Sequence, residues 1–259
     1  MRLRIQIMSD LHIRRPGADG FPPLADGVDL VLIAGDTIEG PERAIRSMRA
    51  AYPTTEIVTV AGNHEFYRGS YFDQLAEGRD CARELGVHFL EDTVVTFGRL
   101  RILGATLWTD YALFGEQMRT VAMRTARGGM LDHKRIKWQS DPWLRFGPTQ
   151  ARALHNRSRA FLEAELTRPY DDGPTIVLTH HAPLLEAIAP RLRAQTLSAA
   201  YASNLGPIID RYQPSYWVWG HTHYPIDSVR GRTRLISNPR GYADEGVVFD
   251  PAFTIEVDA

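Results

Sequence analysis

The stretch Glu56-Ile57-Val58-Thr59-Val60-Ala61-Gly62-Asn63-His64-Glu65 passes from a β-branched, apolar run straight into side chains that bind metals or carry protons. A short apolar run without polar alternation reads as a strand buried on both faces, the kind that builds parallel sheets. Four other stretches repeat the arrangement. Residues 3–8 run into Asp10 and His12, residues 28–34 into Gly35 and Asp36, and residues 175–179 into His180 and His181. Residues 215–219 run into Gly220, His221, Thr222 and His223. In open α/β sheets, ligands bind beyond the carboxyl ends of the strands, and every one of these polar clusters falls there.

The segments between these strands read as helices. Residues 41–51 open on Pro41 at a first-turn position, and residues 70–85 stop before Gly86, a good C-terminal residue. Residues 149–166 carry Leu154, Phe161, Leu162 and Leu166 at helical spacing, and residues 197–212 are expected to kink or restart at Pro207. Strand–helix alternation implies parallel pairing. Residues 93–107, turning at Gly98-Arg99, and 227–236, turning at Gly231, read as antiparallel pairs, with a last strand at 253–257. The expectation is an α/β fold with mixed sheets in a single domain over residues 1–259.

Residues 115–147 are the least regular part and read as a lid or substrate-binding excursion. Arg119, Arg124, Arg127, Lys134, Arg135, Lys137 and Arg145 stand there against Glu116, Asp132 and Asp141, with Trp138, Trp143 and Phe146 among them. A solvated helical lid packed by its aromatics fits this pattern. The alternative is a local grip on a polyanion with a stacked base.

Composition sets outer bounds. The 259 residues hold 30 Lys plus Arg against 31 Asp plus Glu, 44% hydrophobic and 24% charged residues. These values argue against a disordered chain, a collagen-like repeat and a disulfide scaffold. A net charge of −1 argues against holding nucleic acid by global positive charge. The lone cysteine, Cys81, cannot form an internal disulfide and reads as a core residue. No run approaches the roughly 18 apolar residues of a membrane span, and Asp10 comes too early for a signal peptide. A cytoplasmic protein without membrane contact is expected.

Of nine histidines, six lie in the strand-end clusters, while His88, His133 and His155 are scattered. Carboxylate, imidazole and amide oxygen together, with no thiolate, suit Mn²⁺, Fe or Zn²⁺. The donors outnumber the ligands of one tetrahedral metal and suit two metals sharing a bridge.

The ordered motifs DLH, GD, GNHE, THH and GHTH resemble the signature of the calcineurin-like metallophosphoesterase superfamily, from Asp10 to about Gly241. The resemblance implies a four-layer α/β/β/α sandwich with two mixed β-sheets and two divalent metal ions, Mn favoured, with Fe, Zn or Ni as alternatives. It implies that Asp10, His12 and His223 hold one metal, that Asn63, His180 and His221 hold the other, and that Asp36 bridges them. His64 would be the general acid, assisted by Glu39, with Glu65 as second candidate. His181 and Arg240 are candidate substrate-binding residues, although His181 could instead turn away to a loop carbonyl and Arg240 could serve a structural turn.

Such a site would cleave a phosphomonoester or phosphodiester by in-line attack of a metal-bridging hydroxide. The run Gly35-Asp36-Thr37-Ile38-Glu39-Gly40 lacks the arginine that protein phosphatases carry after the bridging aspartate. His64 stands where the lipid-A pyrophosphatase branch usually has arginine, and there is little room for the capping domain of repair nucleases. A small bacterial-type phosphohydrolase acting on a nucleotide-like ester or a nucleic-acid end fits best. The alternatives are a nuclease or DNA-end-processing phosphodiesterase, a non-catalytic binding module on the same fold, and a hydrolase of non-phosphate esters.

Overall fold

A computed structural model describes residues 2–17, 19–170 and 173–259. Its first sheet holds β1 (Arg2–Met8), β2 (Leu30–Ile33), β3 (Glu56–Val60) and β4 (His88–Leu90) in parallel, with β13 (Thr254–Asp258) antiparallel on the outer edge of β1. The second sheet runs β11 (Ile226–Arg230), β12 (Thr233–Ser237), β10 (Tyr216–Val218), β9 (Thr175–Thr179), β6 (Leu100–Ala105), β5 (Thr93–Phe97). Its four inner strands are parallel, and the β5–β6 and β11–β12 pairs are antiparallel.

Strand alternation explains why the apolar runs are continuous. Ile5 and Ile7 of β1, Leu32 of β2, Val58 of β3, Ile176 and Leu178 of β9 and Val218 of β10 share one buried cluster between the sheets. The intervening residues Val31, Ile33 and Ile57 face α1 (Pro41–Ala51) and α2 (Tyr71–Leu85) through Ala44, Ile45, Met48 and Ala82. On the far side, Leu103, Val177 and Trp217 pack on Ala122 and Ala126 of α3 (Arg119–Gly129), Leu154 and Leu162 of α5 (Pro148–Thr167), and Ile209 of α6 (Gly206–Tyr212). The architecture is the four-layer α/β/β/α sandwich. Each fully buried aliphatic side chain contributes about 1.5–3 kcal/mol, so strands covered on both faces are the firmest available platform for a site.

Cys81 is buried in the helix-facing core, and Gly86 closes α2 in the left-handed conformation. The helix foreseen over residues 197–212 is two pieces: a 3₁₀ turn at Thr196–Ala200, then α6 restarting with Pro207 in its first turn. Residues 115–147 fold as α3, the short α4 (Asp132–Arg135) and the hairpin of β7 (Lys137–Gln139) with β8 (Leu144–Arg145). Trp138 stacks on Tyr71, and Phe146 is buried against Trp108. Only Trp143 of these three aromatics stands exposed. Among the described residues, no helix is long and apolar enough to cross a membrane.

Candidate metal centre

The carboxyl ends of β1, β2 and β3 from one sheet and of β9 and β10 from the other converge on one point. Asp10, His12, Asp36, His221 and His223 all have positive φ, between 45° and 67°. Left-handed backbone costs a non-glycine residue about 1–2 kcal/mol, and such strain gathers at functional sites. Here it turns each strand end so that residues two apart, Asp10 with His12 and His221 with His223, aim at the same place. Gly62 lies so close that a Cβ would sit 2.6 Å from the Asp36 nitrogen, so only glycine lets the β2 and β3 loops meet.

Two donor groups result. His223 Nε2 lies 3.0 Å from His12 Nε2 and 3.4 Å from Asp10 Oδ1. His180 Nε2 lies 3.0 Å from Asn63 Oδ1, 3.2 Å from His221 Nδ1 and 3.4 Å from Asp36 Oδ1. The other Asp36 oxygen faces away from that group, 3.9 Å from His12 Nε2 and 3.7 Å from His64 Nε2. The donor atoms of Asp10, His12 and His223 lie within 4.8 Å of one another, as do those of Asp36, His180 and His221, and of His12, Asp36 and His64.

The ring nitrogens are set for this task. His180 Nδ1–H donates to the Ala34 carbonyl at 2.8 Å, leaving the Nε2 lone pair aimed inward. Glu245 holds His223 Nδ1 at 2.5 Å in the same way. Burial pushes His12 down to about 3 and holds His221 well below the ordinary imidazole range, so both present neutral nitrogens. Burial also pushes the Asp36 carboxyl well up, a cost that a neighbouring cation removes. For His223, burial is outweighed by Asp10 and Glu245, which hold it up at about 9; a cation on Nε2 would displace that proton. Facing imidazole nitrogens 3.0–3.2 Å apart beside buried carboxylates fit divalent cations by their donor chemistry.

The family model for calcineurin-like phosphoesterases matches residues 3–225, which takes in every one of these strand ends. The chain belongs to the calcineurin-like phosphoesterase family. It is 22% identical over 217 residues to an uncharacterized protein of Acanthamoeba polyphaga mimivirus, covering 78% of this chain and 74% of that protein. Among solved structures it shares the fold of a phosphopantetheinyl hydrolase from Mycobacterium tuberculosis, at TM-score 0.69 and 18% identity. That match covers 93% of this chain and 90% of the other. It also resembles the anchor in the inner membrane complex of Plasmodium, at TM-score 0.51 and 12% identity over 98% of this chain and 81% of that one.

Several supports of this donor cluster carry no local signal in the sequence. Asp132 of α4 accepts from the Asn63 amide at 2.7 Å and from the Tyr67 hydroxyl at 2.8 Å, which leaves the Asn63 carbonyl facing His180. Tyr242 stacks on His12, with ring centres 4.3 Å apart, and its hydroxyl hydrogen-bonds His64 Nε2 at 3.2 Å. His64 also stacks on Tyr67, and burial lowers its pKa. Glu245 was equally unmarked; a glutamate in a Gly-rich C-terminal loop has no pattern to single it out.

Four expected site residues are engaged with other partners. His181 is fully buried behind His221, its Nδ1–H donating to the Thr106 carbonyl at 3.2 Å, so it does not line a substrate cavity. Its neighbour His180 points inward from the same strand end, and adjacent residues point to opposite sides. Arg240 donates to the Gly20 carbonyl at 2.5 Å, a structural turn contact. Glu39 pairs with Arg68 at 2.9 Å and Arg135 at 3.4 Å, not with His64. Glu65 is buried, and its oxygens are taken by backbone N–H groups.

Proposed function

We propose that the chain hydrolyses a phosphate monoester or diester with two divalent metal ions, one held by Asp10, His12 and His223, the other by Asn63, His180 and His221, with Asp36 between them. The observation that carries this reading is the split of Asp36, one oxygen 3.4 Å from His180 Nε2 and the other 3.9 Å from His12 Nε2. When bound, such a metal pair supplies positive charge for the phosphoryl oxygens and a water of lowered pKa. The chain's own residues do the rest. Asn63, fixed by Asp132, and His180, fixed by Ala34, keep their donors oriented without reorganisation. His64, once protonated, delivers a proton from Nε2 to the leaving oxygen, with Tyr242 and Tyr67 setting the plane of its ring. The burial that lowers its pKa makes the protonated ring a stronger acid.

The test is an assay of Mn²⁺-reconstituted protein on p-nitrophenyl phosphate, its bis-ester, cyclic nucleotides and phosphopantetheine. Hydrolysis is expected. His64→Ala should slow it by about 10²–10⁴-fold while two Mn²⁺ per chain stay bound. Asp36→Ala should lose both tight Mn²⁺ binding and turnover; normal Mn²⁺ stoichiometry and rate in that variant would overturn the bridging assignment.

A further inference from the structure

A cavity of about 450 Å³ opens directly off the centre, sharing His12 and His64 with it. Its walls carry four arginines, Arg14, Arg43, Arg68 and Arg135, against the single carboxylate of Glu39. Arg68 and Arg135 are engaged with that carboxylate. The guanidinium groups of Arg14 and Arg43 have no hydrogen-bond or ion-pair partner among the described residues. Two exposed arginines without such a partner thus line a space large enough for a small ligand, beside the point where a phosphoryl group would react. Their combined charge matches one phosphate dianion, about −1.5 to −2 at pH 7, and the planar guanidinium fork suits phosphate oxygens.

We propose that this cavity seats a second phosphate carried by the substrate, which makes the preferred substrate a bisphosphorylated small molecule. The inference rests on the phosphoesterase reading above. Water adds to one phosphorus, the P–O bond to the alcohol breaks and the alcohol oxygen takes a proton. The other phosphate stays intact between Arg14 and Arg43, holding the ester in register with His64. Remote binding of this kind lowers KM and orients the reacting group.

Two measurements decide it. In equilibrium dialysis of Mn²⁺-loaded protein with radiolabelled inorganic phosphate, the wild type should bind two phosphates per chain and the Arg14→Ala/Arg43→Ala protein one. In steady-state kinetics, kcat/KM for adenosine 3′,5′-bisphosphate should exceed that for either adenosine monophosphate by about tenfold or more, and the double substitution should bring the ratio down towards one. A single phosphate per chain in both proteins, or a ratio that the double substitution leaves unchanged, overturns the proposal. So does a preference for a longer oligonucleotide over the bisphosphate, which would make the cavity a nucleic-acid track. Two bound phosphates without turnover on any ester would strike down the hydrolytic reading and support the second anion seat.

Discussion

Four backbone N–H groups converge on the Glu65 carboxylate: those of Asp36, Thr37 and Ile38 after β2, and of Gly62 after β3. A buried carboxylate that accepts this many bonds ties two loops into one rigid piece, and leaving such donors unpaired costs about 1–3 kcal/mol each. Glu91 is a second buried acid with a different balance. It accepts the Thr106 N–H at 2.8 Å, the Thr106 hydroxyl at 2.7 Å and the Tyr71 hydroxyl at 3.2 Å. Burial first, then the charge of Asp92, push its carboxyl up to about 7 from an ordinary 4.5. A carboxyl raised on folding holds its proton more tightly when folded. Its contribution to stability is therefore complete below pH 4.5 and is lost as pH rises through 7, by up to about 3 kcal/mol. Glutamine at this position keeps an acceptor for Thr106 and a donor for Tyr71 but cannot ionise. Glu91→Gln should resist urea better than wild type at pH 8, with the difference shrinking towards pH 5. Parallel pH dependence of the two urea midpoints would show that burying this charge costs nothing measurable.

At the scale of elements, the excursion over residues 115–147 reaches into the centre through α4. Asp132, at the start of that helix, holds the Asn63 side chain from 69 residues away. Asp132→Ala should weaken Mn²⁺ binding by about 10–100-fold, the usual effect of losing an outer partner, as read by competition with a chelator. Unchanged affinity would mean that the β3 loop holds Asn63 unaided. The same contrast explains what the sequence made legible. The strand ends could be read because an apolar run and its polar terminus are contiguous, and Pro41 and Gly86 mark helix limits locally. β4 spans only three residues, too few to establish a pattern, and its pairing with β3 is a tertiary fact. Asp132 and Glu245 act through contacts that folding alone creates, and the Glu39 pairing with Arg135 depends on α4 lying beside the β2 loop. For His181 the sequence leaves cavity lining and loop carbonyl both open, because two adjacent histidines look equivalent until strand geometry separates them, and the loop carbonyl is the one found.

At the scale of the whole molecule, the donors come from both sheets. Asp10, His12, Asp36 and Asn63 end strands of the first, while His180, His221 and His223 end strands of the second. Between the sheets lies the apolar layer of Ile5, Leu32, Ile176 and Val218, which is non-directional and tolerates sliding better than a set of coordinate bonds does. Cations held by residues from both sheets would pin them at one edge and stabilise the folded chain by its affinity for them. At a free concentration about 100 times Kd this linkage amounts to about 2.7 kcal/mol per site. For a chain of this length that corresponds to about 5–10 °C in Tm for each site filled. Protein stripped with a chelator should therefore melt about 10–20 °C below the same protein with both sites filled in excess Mn²⁺, and the gain should grow with the logarithm of Mn²⁺ concentration. Asp36→Ala, lacking the carboxylate that faces both donor groups, should lose most of the shift. A Tm independent of Mn²⁺ in the wild type would mean that cations do not join the two sheets. A shift of equal size in Asp36→Ala would mean that they join them without this residue.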